Sequence, residues 1–566
     1  MMRRIETLAG DFATITAISL RVAVILLIVS GLIAAENKSI ETLPCPDEAL
    51  TGFRSISRND IRTIVEILAS DELEGREAEA RGGRLASMFI ASWLSAARIP
   101  AFGSGGFLND YFQEIPCISA DVDAGSSYIS LEKEDGKEMD RKFPLEENAF
   151  YSPQSAENFS ITAPVVFAGY GIEAPEYDYH DFGSFTMRGK IAIVFNHEPQ
   201  EQDEKSIFKG AKATRYSMPQ MKAQIAREKG AVALVIMRDR NNSHGSMRET
   251  LSRRGTKEER GHFLGIEGEP SLIPIFYVED AVADEIFERS GIDLKEKQAE
   301  IDRTLKSEPV DLKGITLTLN VLMKDKKRIS LNNVMAKIEG SDILFKDEAV
   351  IVAAHYDHLG VKPDGIYHGA DDNASGVSAL LSLARALHIN PVKPKRSIYF
   401  VSFAAEEKGV IGSKYLSSHL PVPKEKISVM INMDELGRNN SDREQNADMA
   451  IAFMSGQAPE LKEIIRKSNE ILGMDIKYYP TLTFLTNSDH SLFHDMSIPI
   501  VFFFSGFHGD YHKPTDMADK INYPKMERLT RLIYLTIWDI ANREGKVKFD
   551  RSITKEPEKD EFDKPY

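Results

Sequence analysis

The C-terminal half of the chain alternates unbroken apolar runs with amphipathic segments. From about Ser330 onward, four apolar runs have the length of buried strands, and they occupy residues 349–354, 397–405, 427–433 and 499–505. Between them, segments such as "SGVSALLSLARAL" place apolar residues at helical spacing. Such an alternation is typical of a largely parallel sheet with helices on both faces. We therefore predict an α/β fold built on a mixed, largely parallel sheet.

The residues before and after this sheet divide into segments of different texture. Two helical patterns upstream predict an N-terminal part of the same domain at residues 56–159. Short β-like runs separated by glycine and proline then predict a smaller, β-rich α/β domain inserted at 160–315, with a charged loop at 241–269. The sheet itself is expected at 316–546, followed by a flexible polar tail at 547–566.

The N-terminus carries an apolar run from Val22 to Ala35 that follows several arginines. The run is shorter than the ~20 residues of a membrane-spanning helix and closes with small residues, as a secretory signal does. We predict that residues 1–35 are a signal peptide that directs export to the periplasm or the extracellular space. A weaker apolar stretch before Arg21 could instead extend the run into an uncleaved anchor, the one route to membrane contact. Residues 36–55 are expected to form a linker.

The composition of the 566-residue chain excludes some partners and chemistries. A formal net charge of −16 repels phosphate backbones, so we expect no nucleic-acid partner. The two cysteines, Cys45 and Cys117, do not lie near a histidine in a nucleophile motif, which argues against a catalytic thiol. They could pair in an oxidising compartment, but the sequence leaves that pairing and the oligomeric state open. The absence of G-x-S-x-G argues against a serine nucleophile.

Acidic and histidine side chains cluster where the predicted strands end. Those that follow the four strands in turn are His355 and Asp357, Glu406 and Glu407, Asp434, and the group His508, Tyr511 and His512. Open α/β sheets bind their ligands at the carboxyl ends of the strands. Imidazoles mixed with carboxylates, without thiolates, suit zinc, with manganese or cobalt as alternatives, and one carboxylate can bridge two ions. One of the adjacent Glu406 and Glu407 can bind metal while the other takes a proton from water.

Five pieces of the sequence carry a family resemblance, and they occur in the family's order: "AHYDHLG", "GADDNASG", "AAEEKGVIGS", "INMDELGR" and "DYHKPTD". Residues 330–542 thereby resemble the two-zinc exopeptidases of metallopeptidase family twenty-eight, the bacterial leucyl-type aminopeptidases. The block at 160–315 is similar to the protease-associated domain that many members carry within the catalytic domain. The resemblance implies a zinc-dependent aminopeptidase with peptide substrates and two zinc ions per chain.

The resemblance also implies a role for each residue of these motifs. The implied metal ligands are His355 and Asp434 on the first ion, Glu407 and His512 on the second, and Asp372 bridging both. Asp357 would orient the imidazole of His355, Glu406 would be the general base, and Tyr511 would stabilise the oxyanion. We expect His358, His368 and His508 to lie near the site without binding metal, and we leave open whether Asp516 supports His512.

Three alternatives stay open at this point. A carboxypeptidase of the same fold would need added basic residues to hold a free carboxylate, and no single motif decides this. A glutaminyl-cyclase-like acyltransferase shares the fold but uses one zinc, and the full set of five ligand candidates argues against it. A non-catalytic, receptor-like relative should have lost ligands or the base, and none is lost here. The preferred side chain of the substrate and the role of the inserted domain are not fixed by the sequence.

Overall fold

The computed structural model describes residues 45–555 and 558, apart from 104–107, 133–138, 209, 211–212, 243, 253–256 and 483–487. The predicted signal or anchor at 1–35 lies outside the described residues. Among the helices in the described ranges, none combines the length and the apolar character needed to cross a membrane.

The helices and strands are numbered in chain order. The helices are α1 (Leu50–Ser55), α2 (Arg58–Leu68), α3 (Arg81–Ala96), α4 (Pro219–Glu228), α5 (Met247–Ser252), α6 (Lys257–Gly261), α7 (Asp280–Ser290), α8 (Leu294–Thr304), α9 (Gly376–Ile389), α10 (Ile411–Ser418), α11 (Glu460–Leu472), α12 (His490–Asp495) and α13 (Tyr523–Asn542). The strands are β1 (Phe112–Val122), β2 (Tyr128–Glu132), β3 (Met139–Pro144), β4 (Ala149–Ser152), β5 (Phe159–Phe167), β6 (Glu173–Ala174), β7 (Tyr179–His180), β8 (Ile191–Phe195), β9 (Ala233–Met237), β10 (His262–Ile266), β11 (Ile275–Val278), β12 (Val310–Val321), β13 (Met323–Ile338), β14 (Ala349–His355), β15 (Val361–Lys362), β16 (Gly365–Ile366), β17 (Ser397–Phe403), β18 (Ile427–Met433), β19 (Met449–Ser455), β20 (Asp475–Thr481) and β21 (Ile500–Phe504).

The first large sheet has nine strands in the order β10-β1-β13-β17-β14-β18-β21-β19-β20. Its four central strands, β17, β14, β18 and β21, run parallel to one another. Antiparallel strands flank them, since β13 pairs antiparallel with β17 and β19 pairs antiparallel with β21. The four central strands are those that the apolar runs predicted, and the predicted mixed α/β fold is confirmed.

Helices cover both faces of this sheet. Successive side chains of β14 enter different cores, because neighbouring residues of a strand point to opposite faces. Val352 packs into a core with Ile61 of α2 and Leu381 of α9. Ile351 packs into the core on the other face with Phe493 of α12. This two-sided burial explains why the central strands are apolar throughout.

A second sheet has eight strands in the order β3-β2-β12-β5-β8-β9-β11-β4 and its own buried core. It extends beyond the predicted insertion at 160–315, because β2, β3 and β4 precede residue 160 and β12 reaches Val321. Conversely, β10, inside the stretch predicted as a charged loop, pairs with β1 of the first sheet. All five residues of β10 are half-buried, so its sequence lacks the apolar run that marks a core strand.

The predicted linker at 36–55 is wrong for its C-terminal part. Residues 50–55 form α1, whose Phe53 is only 1% exposed. The backbone N–H of Gly52 donates to the side-chain oxygen of Asn390 at 2.9 Å, which fixes α1 against the end of α9. The sequence around Phe53 does not predict that its ring is buried, because the residues that cover the ring are far away in the chain.

The predicted flexible tail at 547–566 is also ordered where the structure describes it. Val547 is buried, and its N–H donates to the Ser428 hydroxyl at 3.3 Å. The N–H of Asp550 donates to the carbonyl of Gln457 at 2.8 Å. Residues 547–551 therefore contact the first sheet's domain in ways that local polarity cannot predict.

The two cysteines do not pair. Cys45 and Cys117 are both free and buried. Burial raises the pKa of the Cys45 thiol to about 11 and that of Cys117 to about 12. Both thiols are therefore protonated and unreactive near neutral pH.

Candidate metal centre

The five predicted metal ligands meet at the carboxyl edge of the parallel strands. His355 is the last residue of β14, and Asp434 follows β18 directly. Glu407 lies on the loop after β17, His512 lies on the loop after β21, and Asp372 lies in the turn before α9. Because parallel strands end at the same edge of a sheet, residues up to 157 positions apart in the numbering lie side by side here.

The first group of potential ligands consists of His355, Asp372 and Asp434, all of them buried. The Nε2 atom of His355 lies 3.1 Å from Oδ1 of Asp434 and 3.4 Å from Oδ1 of Asp372. Ligand atoms around a tetrahedral zinc, with bonds of ~2.0–2.1 Å, are roughly 3.3 Å apart. The three side chains are therefore spaced as they would be around one ion.

The second group lies on the other side of Asp372. Oδ2 of Asp372 is 3.0 Å from Nε2 of His512 and 3.6 Å from Nδ1 of His358. Glu407 completes the group, with Oε1 at 2.8 Å from Nδ1 of His358 and Oε2 at 3.5 Å from Nε2 of His512. Asp372 thus turns one oxygen toward each group, which is the geometry of a bridging carboxylate.

His358 is closer to this centre than the sequence analysis expected. Its side chain has no exposed surface, and with Asp372 and Glu407 it forms a group that could hold an ion. The available signal was its position three residues after His355, since a chain that turns sharply after a strand can bring a second imidazole back to the same edge.

Asp357 acts differently from the predicted orienting carboxylate. Its Oδ1 and Oδ2 accept the backbone N–H groups of Glu406 and Glu407, at 3.0 and 3.3 Å. Nδ1 of His355 lies nearer to the backbone carbonyl of Asp357, at 3.2 Å, than to its carboxylate, at 3.9 Å. The carboxylate of Asp357 therefore positions the Glu406–Glu407 loop, and the carbonyl of the same residue orients His355.

The electrostatics of the centre are those of crowded, buried carboxylates. Burial raises the pKa of Asp372, but the imidazoles of His358, His512 and His355 outweigh this and bring its pKa below the ordinary value. Burial raises the pKa of Glu406 well above its ordinary value, opposed by His355 and reinforced by Asp489. Buried charges of one sign need compensation by cations. A donor set of imidazoles and excess carboxylates, without thiolates, fits divalent metal ions.

Arg76 supports the centre from the N-terminal segment and was missed by the sequence analysis. Its side chain is fully buried. The guanidinium donates to five backbone carbonyls, those of Tyr356 (2.8 Å), Leu68 (2.5 Å), His368 (2.6 Å), Gly369 (2.8 Å) and Asp372 (3.5 Å). Four of these belong to the loops that carry His355 and Asp372. The only signal was its place in "LASDELEGREAEARGG", which resembles the family loosely.

Asp516 and Asp371 shape the turn around the bridging residue. Oδ2 of Asp516 accepts the backbone N–H groups of Asp371 and Asp372, at 2.9 and 3.2 Å, so Asp516 supports Asp372. Oδ1 of Asp371 accepts the N–H of Gly437 at 2.5 Å, and its Oδ2 lies 3.4 Å from Nε2 of the buried His508. Asp371 therefore connects the turn to the loop after β18. His508 lies next to Asp371 and not among the potential metal ligands.

Further aromatic and acidic residues surround the centre. The Tyr511 ring stacks on His512 at a centroid distance of 3.9 Å, and burial, reinforced by Glu435, raises the pKa of its phenol, which stays protonated. Glu435 is buried beside Asp434, and burial raises its pKa well above the ordinary value; its place in "MDELG" was the available signal. His490 stacks on Phe502 at 4.4 Å, and burial lowers its pKa to about 3, so it is neutral.

The part of the chain that carries this centre is similar to known proteins. Residues 333–537 match the sequence model of Peptidase family M28. Aminopeptidase YwaD of Bacillus subtilis (strain 168) is 30% identical over 223 residues, which cover 38% of this chain and 46% of that protein. Leupeptin-inactivating enzyme 1 of Streptomyces exfoliatus is 26% identical over 253 residues, which cover 41% of this chain and 53% of that protein. The chain thus spans about half the length of the curated relatives it matches.

One solved structure shares the overall fold. The aminopeptidase from Aneurinibacillus sp. strain AM-1 matches 89% of this chain and 98% of its own chain, with a TM-score of 0.51 and 18% identity. At this identity the match shows a common fold that extends beyond the family domain, across both sheets.

Proposed function

We propose that the protein is a zinc-dependent aminopeptidase, on the premise that residues 333–537 match the sequence model of Peptidase family M28. The observation that carries the proposal is the position of Asp372 between two ligand groups, His355 with Asp434 and His512 with Glu407. The names of the similar proteins, which include two aminopeptidases, support it. The proposal includes export directed by residues 1–35. It also interprets the second sheet as a protease-associated domain inserted into the peptidase domain.

We assign two zinc ions to the centre. His355 and Asp434 would hold the first, Glu407 and His512 would hold the second, and Asp372 would contribute one oxygen to each. His512 is preferred over His358 because its nitrogen lies 3.0 and 3.5 Å from the oxygens of Asp372 and Glu407, whereas that of His358 lies 3.6 and 2.8 Å from them, and the first pair is closer to the roughly 3.3 Å between zinc ligands. His358 then fixes Glu407 through their 2.8 Å contact. When bound, the ions supply Lewis acidity, which polarises the scissile carbonyl and acidifies the attacking water.

The proton transfers fall to Glu406. It belongs to neither ligand group, it is partly exposed, and its backbone is fixed by Asp357. Cations held by the neighbouring ligand groups would offset the surrounding negative charge and keep Glu406 ionised. Its carboxylate then takes a proton from the attacking water and returns a proton to the leaving amine. We assign to the protonated phenol of Tyr511 the hydrogen bond to the oxyanion that develops on the carbonyl. The acidic surroundings favour a substrate with a protonated α-amine.

The requirement for a free α-amine tests the activity directly. A panel of aminoacyl-nitroanilides, each with a free and an N-acetylated amino group, is offered to the purified protein. We expect cleavage of the free substrates only. Equal cleavage of both forms would rule out the aminopeptidase assignment, and release of C-terminal residues from acetylated peptides would favour a carboxypeptidase. One metal ion per chain with full activity would favour the cyclase-like alternative.

The adjacent aspartates provide a matched pair of variants for this assay. Asp372→Asn weakens the proposed bridge and should abolish cleavage. Asp371→Asn changes the neighbouring residue but keeps an oxygen that can accept the N–H of Gly437. We expect Asp371→Asn to retain most of the activity, and equal losses in the two variants would contradict the assignment of Asp372.

A further inference from the structure

A second set of imidazoles and carboxylates lies at the carboxyl edge of the second sheet. Strands β8 and β9 are adjacent and parallel, so they end at the same edge. His197 comes two residues after β8, and Asp239 comes two residues after β9. Glu201 and His244 follow on the loops that leave these strands. The arrangement repeats, on the other sheet, the strand-end placement that builds the peptidase centre.

The four side chains are spaced like the ligands of one ion. One ligand atom from each lies within 4.8 Å of the other three. Nδ1 of His197 is 3.3 Å from Oδ1 of Asp239 and 3.7 Å from Oε2 of Glu201. Nε2 of His244 is 2.7 Å from Oε2 of Glu201 and 3.9 Å from Oδ2 of Asp239. These separations bracket the roughly 3.3 Å between ligands of a tetrahedral zinc.

The surroundings hold these groups in place. The Asp239 side chain has no exposed surface, and the other three are between 17 and 30% exposed. The amide nitrogen of Asn242 donates to Glu201 at 3.0 Å and also to Asp239, and thereby fixes both carboxylates. The buried ammonium of Lys222 donates to the carbonyl of His197 at 2.6 Å and fixes the backbone there. Hydrogen bonds from neighbouring side chains to the ligand residues, such as these, are typical of carboxylates that bind metal.

The nearby arginines do not replace a metal ion in this cluster. Arg238 and Arg240 leave β9 next to Asp239, but both guanidiniums pair with Asp280 on α7. Arg240 also pairs with Asp284 at 2.7 Å. Their charge is therefore directed toward α7, and the two carboxylates of the cluster face the two imidazoles, whose rings are 4.0 Å apart.

We propose that His197, Glu201, Asp239 and His244 bind a zinc ion that ties together the loops after β8 and β9. Four protein ligands complete a tetrahedral set and leave no open position, which is the pattern of a structural zinc site and not of a catalytic one. The cluster shares no residue with the two groups of the peptidase centre. It gives the second sheet a stabilising metal of its own.

The test is the zinc content of the full-length protein after reloading and dialysis. Wild type is compared with His244→Ala and Glu201→Gln. The control is His180→Ala, because His180 contacts a single carboxylate, Glu173, at 2.9 Å. We expect His244→Ala and Glu201→Gln to retain one zinc equivalent fewer than wild type, and the control to retain the same number. All three should keep wild-type peptidase activity. Undiminished zinc in Glu201→Gln, whose shape is conserved, would overturn the proposal even if His244→Ala failed to fold.

Two further measurements separate this site from the peptidase centre. In an Asp372→Asn background, Glu201→Gln should still remove one equivalent, because the proposed loss does not depend on how many ions the peptidase centre holds. Asn242→Ala should weaken the zinc affinity of the cluster by ~10–100-fold, as loss of a contact to a ligating carboxylate does. An unchanged zinc count in both Asn242→Ala and Glu201→Gln at every zinc concentration would mean that the cluster is an ion-pair network without metal.

Discussion

The buried guanidinium of Arg76 should be essential for the stability of the peptidase domain. Replacement by Ala removes the donor from the carbonyls of Tyr356, Leu68 and His368, whereas that of Gly369 still accepts the N–H of Ala374 at 3.2 Å. A buried polar group that loses its partner costs about 1–3 kcal/mol. For three carbonyls the sum is roughly 3–9 kcal/mol, a large part of the ~5–15 kcal/mol that stabilises a typical domain.

The assay is urea unfolding of Arg76→Ala, Arg76→Lys and a surface control. Arg76→Lys keeps the charge but not the planar set of donors, so its loss should be intermediate. The control is Arg81→Ala, because Arg81 is 63% exposed and pairs with Glu74 at 3.0 Å. Exposed pairs contribute ~0–1 kcal/mol. If Arg76→Ala unfolds within about 1 kcal/mol of wild type, these carbonyls do not depend on Arg76 and the reasoning is refuted.

Three further perturbations have defined outcomes. Phe53→Ala should lower the free energy of unfolding by about 3–5 kcal/mol, because the ring of this α1 residue is buried in the core. A loss below about 1 kcal/mol in urea unfolding would mean that residues 50–55 do not pack against the rest of the domain. His262 contacts Glu79 and Asp121, and its hydrogen bond to Glu79 raises the pKa of its imidazole. The stability that His262 contributes is therefore fully present below the unfolded pKa of about 6.5. It is lost as the pH rises through the higher pKa of the folded state. The stability difference between wild type and His262→Gln should therefore be larger near about pH 6 than near about pH 9, and the opposite trend would contradict this. Chelation should abolish peptidase activity and lower the melting temperature, and added zinc should restore both; full activity in metal-free protein would contradict a metal-dependent reaction.

The sequence was most informative where local pattern and tertiary position coincide. β14, β17, β18 and β21 are buried on both faces, so their apolar runs were visible without knowledge of their neighbours. The potential ligands lie at or shortly after the ends of these strands, so locating the strands also located His355, Glu407 and Asp434.

Contacts made by single residues across long stretches of chain were not predictable. Arg76 reaches carbonyls almost 300 positions away, and no local pattern marks it. Phe53 and Val547 lie in stretches of sequence without a clear apolar pattern, and elements distant in the chain bury both. The candidate metal cluster of the second sheet combines His197 and His244 from two separate loops, whose spacing matches no short motif.

The central claim is that Glu406 transfers protons while its neighbour Glu407 binds metal. The decisive measurement is turnover together with metal content in Glu406→Gln and Glu407→Gln. Glu406→Gln should fold, keep its metal ions and lose ~10²–10⁴ in kcat, or roughly 3–5 kcal/mol of barrier, whereas Glu407→Gln should lose zinc and be partly rescued by added zinc. Loss of metal in Glu406→Gln with loss of turnover alone in Glu407→Gln would reverse the two roles. Near wild-type turnover in Glu406→Gln would contradict the mechanism.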